Sequence, residues 1–156
     1  MPVETERKFL VANDEWCSSV KESHAFLQGY LAESKGASVR VRAIDDREAV
    51  ITIKSTAPGI SRAEYEYAIP IEHARELLTL CSSNVLEKRR HIVVDNGNRW
   101  EVDVYSGRHQ GLVMAELELT DVDQVFAKPG WLGEEVSNDP QYFNSALARE
   151  TAPPRR

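Results

Sequence analysis

A chain of 156 residues and 17.6 kDa has the length of one domain and can bury roughly two-thirds of its unfolded surface around a sizeable core. Nineteen Lys and Arg against 25 Asp and Glu leave a formal charge of −6 and a pI near 5.3, which excludes bulk nucleic-acid binding and an anionic membrane as default partners but leaves room for a local basic site. Cys17 and Cys81 lack C-x-x-C spacing, no apolar run approaches the roughly 20 residues of a bilayer span, and Met1-Pro2-Val3-Glu4 is not a signal segment, so a soluble cytoplasmic protein with free thiols is expected.

The chain opens on Glu4-Thr5-Glu6-Arg7-Lys8, read as a strand that continues through Phe9-Leu10-Val11. Alternation along a strand, which rises about 3.3 Å per residue, puts Glu4, Glu6 and Lys8 on one face. Asn13-Asp14 then offers a cap for a short helix from Glu15 to about Glu22. Gln28 to Leu31 and Ser38 to Arg42 flank the turn-forming Glu33-Ser34-Lys35-Gly36 and read as a hairpin. Ala49 to Lys54 is a further strand, and the loop from Ser55 to Ser61, with Pro58-Gly59, leads into another at Arg62 to Ile69.

Pro70 suits the start of a helix whose stripe is Ile71, Ala74, Leu77 and Leu78 and which ends near Cys81 to Asn84. Three more strands are predicted at Val85 to Val94, Arg99 to Tyr105 and Leu112 to Thr120, with Asp95-Asn96-Gly97-Asn98 a tight turn between the first two. A short helix at Asp121 to Phe126, the turn Lys128-Pro129-Gly130 and a helix from about Pro140 to Arg149 complete one domain over residues 1–150, followed by a frayed tail over 151–156.

Strand after strand has one charged and one apolar face. Arg40 and Arg42 oppose Val39 and Val41; Lys54 opposes Ile51 and Ile53; Glu64 and Glu66 oppose Tyr65 and Tyr67; Glu101 and Asp103 oppose Val102 and Val104; and Glu116 and Glu118 oppose Ala115, Leu117 and Leu119, with Lys88 and Arg90 adding two cations. An antiparallel sheet with one wet face gives the same alternation, but such a face accepts Ser, Thr, Gln and Asn freely, and like charges two apart on a strand repel. A closed antiparallel barrel with a charged lumen and apolar outer faces under helices, an α+β architecture, accounts for both facts. The cations Lys8, Arg40, Arg42, Lys54, Lys88 and Arg90 suit a polyphosphate, while Glu4, Glu6, Glu116 and Glu118, from opposite ends of the chain, suit Mg²⁺ or Mn²⁺.

At these residues the chain resembles the CYTH domains, also called triphosphate tunnel metalloenzymes. Glu4-Thr5-Glu6-Arg7-Lys8 carries the family's E-x-E-x-K signature, and the resemblance continues through Gln28-Gly29-Tyr30-Leu31, Val39 to Arg42, Thr52-Ile53-Lys54, Glu64-Tyr65-Glu66, Glu87 to Arg90, Trp100 to Tyr105, Gly111 to Leu119, Trp131 to Val136 and Tyr142 to Ser145. It implies an eight-stranded closed tunnel that binds a triphosphate and a divalent metal, and the short form is most similar to the bacterial inorganic triphosphatases. Carried over residue by residue, Glu4, Glu6, Glu116 and Glu118 would be metal ligands; Lys8, Arg40, Arg42, Lys54, Lys88 and Arg90 would hold phosphoryl oxygens; and Glu64, Glu66 and Asp103 would bind a second metal or orient water.

The expected chemistry is metal-assisted hydrolysis of a terminal phosphoanhydride of a small-molecule triphosphate, most simply inorganic tripolyphosphate, with Lys8 also polarising or positioning the water. An adenylyl cyclase and a thiamine triphosphatase would use the same grip, and a non-catalytic polyphosphate- or nucleotide-binding module would need only the cations. A homodimer is allowed. The other polar residues have ordinary readings: His24, His73, His91 and His109 show no ligand spacing, Trp100 and Trp131 are expected to pack between barrel and helices, Tyr30 reads as a hairpin aromatic, Arg62 and Arg108 as mouth or surface residues, and Glu134-Glu135 as solvated.

Overall fold

The alternating segments form strands that close on themselves in a computed structural model, which describes residues 2–155; Met1 of the expected domain and Arg156 of the expected tail lie outside the described residues. Nine strands are present among those residues: β1 (Val3–Val11), β2 (Val20–Glu33), β3 (Ala37–Ile44), β4 (Glu48–Ser55), β5 (Ser61–Ile69), β6 (Val85–Asp95), β7 (Asn98–Tyr105), β8 (Val113–Glu118) and β9 (Leu132–Glu135). Helix α1 (Ile71–Leu80) follows β5, and α2 (Asn144–Arg149) lies near the C-terminus. All neighbouring strands are antiparallel, in the order β5-β4-β3-β2-β6-β7-β8-β1-β9, and a β5–β1 pairing closes the first eight into a barrel.

Strand β1 makes the closure because it uses both edges. Glu6 to Leu10 pairs with β8 on one side. On the other side Val3, Glu4 and Thr5 pair with Ala63, Arg62 and Ser61 of β5, and further along the strand Phe9 and Val11 pair with β9. A barrel has no free edge to manage. The turn between β6 and β7 is the expected one: Asn96 and Gly97 have φ of 48° and 77°, the left-handed pair a type I′ hairpin requires.

The apolar clusters lie on the outer faces and at one end. Phe9, Trp100 and Trp131 pack edge to face, with Trp100 5.9 Å from Phe9 and 5.5 Å from Trp131 between ring centroids, in a cluster with Trp16, Val93, Val102 and Leu117. Helix α1 lays Ala74 and Leu78 on Val41, Ala43 and Ala49. Leu147 and Ala148 of α2 pack with Leu86, Tyr105 and Met114, so the C-terminal segment covers one end of the barrel.

Four local expectations change. The segment from Glu15 to Glu22 is a 3₁₀ turn over Glu15–Ser19 only, because Val20 and Glu22 are drawn into ladder pairing with Val93 and Ile92 of β6, and β2 therefore begins far earlier than Gln28. No helix forms over Asp121 to Phe126: Asp121 accepts from the Asp123 N–H at 2.8 Å and Gln124 caps Thr120, a turn that delivers Phe126 to Trp100 and Phe9. Leu132–Glu135 is a strand that the turn at Lys128-Pro129-Gly130 and the short, Gly-containing sequence conceal. The C-terminal helix divides at Phe143, whose extended backbone (φ −68°, ψ 137°) separates a 3₁₀ turn over Pro140–Tyr142 from α2. None of the described helices is long and apolar enough to cross a membrane.

Candidate active site

The barrel encloses a cavity of about 690 Å³. Strand periodicity sends one set of side chains into it from every wall, and cross-strand register stacks them: Glu6 opposite Glu118 and Lys8 opposite Glu116, Glu101 opposite Glu116, Arg90 opposite Asp103, Lys54 opposite Glu64 and Thr52 opposite Glu66, Arg40 opposite Thr52, and Tyr30 opposite Arg40. Glu4, Glu6, Lys8, Arg40, Arg42, Lys54, Glu64, Glu66, Arg90, Glu116 and Glu118 all line it. Lys88 and Asp103 lie behind that wall, both buried.

The cations are not equivalent. Lys88 Nζ lies 2.7 Å from Asp103 Oδ2. Arg90 grips the same carboxylate through Nε and Nη2, both at 2.8 Å, and reaches Glu101 Oε2 with Nη1 at 2.7 Å. Lys54 Nζ is 2.7 Å from Glu4 Oε2, 3.6 Å from Glu6 and 3.8 Å from Glu64. Lys8 Nζ donates to the Tyr142 carbonyl at 3.2 Å and is 3.6 Å from Glu116. Arg40 and Arg42 differ from all of these, because among the described residues neither forms an ion pair. Arg42 Nε donates to the neutral Gln28 Oε1 at 3.0 Å and Arg40 reaches Thr52 Oγ1 at 3.4 Å, while Arg40 Nε is buried with no hydrogen-bond partner. Burial, reinforced by the charges of Arg40 and Arg90, lowers the Arg42 guanidinium to about 9. The Lys88 ammonium is lowered to about 7, by burial first, with Asp103 opposing the fall.

The carboxylates show the reverse crowding. Burial, then the charge of Glu116, raises Glu6 to about 8. Burial and then a hydrogen bond with Glu64 raise Glu4, and burial and then Glu4 raise Glu118. Glu116 is the exception: burial alone would raise it, but Lys8, Arg90 and Lys88 outweigh burial and hold it well below the usual carboxylate range. Its Oε1 is buried without a hydrogen-bond partner. Among the described residues no three carboxylate, imidazole or thiol groups already converge as a finished metal cage. The donor set is nonetheless all oxygen and left with an orphaned acceptor on Glu116, which fits a hard divalent cation rather than a soft one.

Several polar residues have structural partners instead. His109 is buried with Nε2 2.6 Å from the Leu147 carbonyl oxygen, Arg108 Nη2 donates to the carbonyls of Ser83, Val85 and Ala148, and Glu135 pairs with Arg7. Trp100 and Trp131 pack outside the barrel as their apolar neighbours imply. Glu101, which has no site role among the sequence expectations, and Tyr30, expected as a hairpin aromatic, both line the cavity, as do Arg99 and Arg62. The alternation that located Glu116 contains the signal for Glu101, two residues before Asp103, and for Tyr30, two after Gln28 on the inward face of β2.

Comparison with known proteins gives a concordant result. The model of the CYTH domain matches residues 2–149. An inorganic triphosphatase of Acetivibrio thermocellus is 45% identical over 150 residues, covering 96% of this chain and 95% of the relative. One from Nitrosomonas europaea is 36% identical over 151 residues, covering 93% and 96%. A solved crystal structure of an inorganic triphosphatase superposes with a TM-score of 0.71 at 32% identity, covering 96% of this chain and 99% of that one. With a closed barrel, a charged lumen and a family match over almost its whole length, the chain belongs to the CYTH domain family.

Proposed function

We propose that the protein is an inorganic triphosphatase that hydrolyses a terminal phosphoanhydride of tripolyphosphate inside the barrel. The observation that carries this reading is the pairing pattern of the lumen: Arg40 and Arg42 face the cavity without an ion-paired carboxylate among the described residues, while Glu4, Glu6 and Glu118 crowd one another from the neighbouring strands. A ligand that supplies anionic oxygens to the first group and arrives with a cation for the second satisfies both. The relatives named inorganic triphosphatase support the substrate.

Phosphoryl transfer asks the protein for positioning and charge neutralisation. Arg40 and Arg42 offer planar forks to phosphoryl oxygens, and the orphaned Arg40 Nε is a donor already desolvated for one of them. Arg90 and Lys88 are held by Asp103, so Asp103 is assigned to fixing those two cations. Of the three acids expected to orient water, Glu64 and Glu66 keep access to the cavity and take that role. Glu4, Glu6, Glu116 and Glu118 are the residues that would hold Mg²⁺ or Mn²⁺, which when bound neutralises phosphoryl charge and acidifies water. Lys54 balances Glu4, Glu6 and Glu64: burial acts against its charge, but Glu6 and Glu4 outweigh burial and raise its pKa. Lys8, held by Tyr142 and Glu116, is a phosphoryl and water contact from the same strand as Glu4 and Glu6. The reaction consumes one water and yields one orthophosphate and one pyrophosphate.

The test is a panel of phosphate release from tripolyphosphate, pyrophosphate, ATP and thiamine triphosphate, each with Mg²⁺ and with Mn²⁺. The reading expects the highest kcat/KM on tripolyphosphate. Cyclic AMP with pyrophosphate as the products of ATP, or a preference for thiamine triphosphate, would overturn it in favour of the corresponding activity.

A further inference from the structure

The inward face of β2 carries an aromatic side chain that has no polar group of its own. Phe26 shares the inward face of β2 with Gln28 and Tyr30 and is 8% exposed, yet it belongs to none of the three apolar clusters. Its neighbours are cations. The Arg42 guanidinium carbon is 4.5 Å from its ring centroid, that of Arg90 5.0 Å, and Lys88 Nζ 5.9 Å. These three cations are buried; Asp103 bonds Lys88 and Arg90 but not Arg42, and Arg90 also reaches Glu101 at 2.7 Å. Among the described residues Arg42 has the neutral Gln28 oxygen and the face of this ring, and no ion pair.

An aromatic face carries negative quadrupolar charge and attracts a guanidinium stacked over it. An aliphatic side chain of similar volume fills the space without that attraction and without a flat surface to orient the guanidinium plane. Arg42 and Arg90 line the cavity and Phe26 does not, so the ring acts only through the cations it touches. We propose that Phe26 is a positioning residue for polyphosphate binding, its ring being the shared platform that holds Arg42 and Arg90 flat and aimed into the lumen despite their mutual repulsion. The proposal rests on the reading of the cavity as a polyphosphate site.

The experiment measures tripolyphosphate affinity by calorimetry in EDTA, where no hydrolysis competes, for the wild type, Phe26→Leu, Phe26→Met, Phe26→Tyr, Arg42→Met and the Phe26→Leu/Arg42→Met double variant, with thermal melts to verify folding. The Leu and Met variants, apolar and of comparable bulk, should bind about 5- to 10-fold more weakly. Phe26→Tyr, which keeps the ring, should stay within about twofold of wild type, and in the Arg42→Met background the effect of Phe26→Leu should shrink to the part that acts through Arg90. Wild-type affinity in both the Leu and Met variants overturns the proposal. So does a loss in Phe26→Tyr as large as in Phe26→Leu, or a full Phe26→Leu effect when Arg42 is already gone, because either makes the ring ordinary packing. A wild type that binds tripolyphosphate and fails to hydrolyse it on addition of Mg²⁺ or Mn²⁺ overturns the proposed activity alone; one that hydrolyses it with metal but does not bind it in EDTA overturns the Phe26 proposal alone; one that neither binds nor hydrolyses it overturns both.

Discussion

Glu6 shows how far the lumen departs from water. Burial and the neighbouring Glu116 push its carboxyl up to about 8 from an ordinary value of 4.5. Below about pH 4.5 the group is protonated in both folded and unfolded chains and contributes nothing to the difference between them. Between about pH 4.5 and 8 the unfolded chain ionises while the folded one resists, so folding stability falls as pH rises and levels off above 8. Metal-free protein in EDTA, melted from about pH 5 to pH 8, should therefore show a Tm that falls more steeply, or rises less, with pH than that of Glu6→Gln, which is neutral in both states. Parallel slopes for the two proteins would mean that Glu6 is not held in the crowded environment described here. The composition of this acidic set was legible in the sequence from the spacing of Glu4, Glu6, Glu116 and Glu118. Its crowding was not, because Glu6 meets Glu118 only through the β1–β8 register, and no local pattern encodes a register between segments more than a hundred residues apart.

The same contrast holds for the elements. Alternation located most of the barrel strands because a charged-in, apolar-out pattern persists on them, whereas β2, with Phe26, Gln28 and Tyr30 inward, carries it only weakly, and the Asn96-Gly97 turn announced its own geometry. Strand β9 escaped notice because four residues containing Gly133 carry little periodic signal. The structure explains that glycine: a Cβ there would lie 2.8 Å from the Leu10 carbonyl oxygen of β1, so only glycine lets β9 approach. The helix expected after Asn13-Asp14 was lost to tertiary pairing, since Val20 and its successors gain ladder partners on β6 that local capping cannot match. Helix α1 depends on a second close approach. A Cβ on Gly29 of β2 would lie 2.6 Å from Cys81 Sγ and 2.9 Å from Cys81 Cβ at the end of α1. Gly29→Ala should push the helix off the sheet and destabilise the fold by about 1–3 kcal/mol, seen as a lower urea midpoint. An unchanged midpoint would show that α1 tolerates displacement and does not brace the Arg40–Arg42 wall on the opposite face of β3.

At the scale of the whole molecule the fold inverts the usual allocation of charge. Its apolar clusters coat the outside of the barrel and one end, and its ionic groups fill the inside. Such a lumen is tolerated because most of its cations have carboxylate partners, Lys54 with Glu4 and the buried Lys88 and Arg90 with Asp103. Buried ion pairs of this kind stabilise little by themselves, and breaking one leaves an uncompensated charge at high cost. What the arrangement does achieve is to place Arg40 and Arg42, which form no ion pair among the described residues, in the same cavity as the crowded carboxylates Glu4, Glu6 and Glu118, which on the function proposed above is an electrostatic mould of a metal-bound polyanion. The family match and the relatives that act as inorganic triphosphatases agree with that mould. The most direct measurement follows tripolyphosphate by ³¹P NMR with the protein and Mg²⁺ or Mn²⁺. The account predicts that the tripolyphosphate resonances give way to equimolar orthophosphate and pyrophosphate, with the pyrophosphate persisting and EDTA stopping the conversion; tripolyphosphate that stays intact with either metal would contradict it.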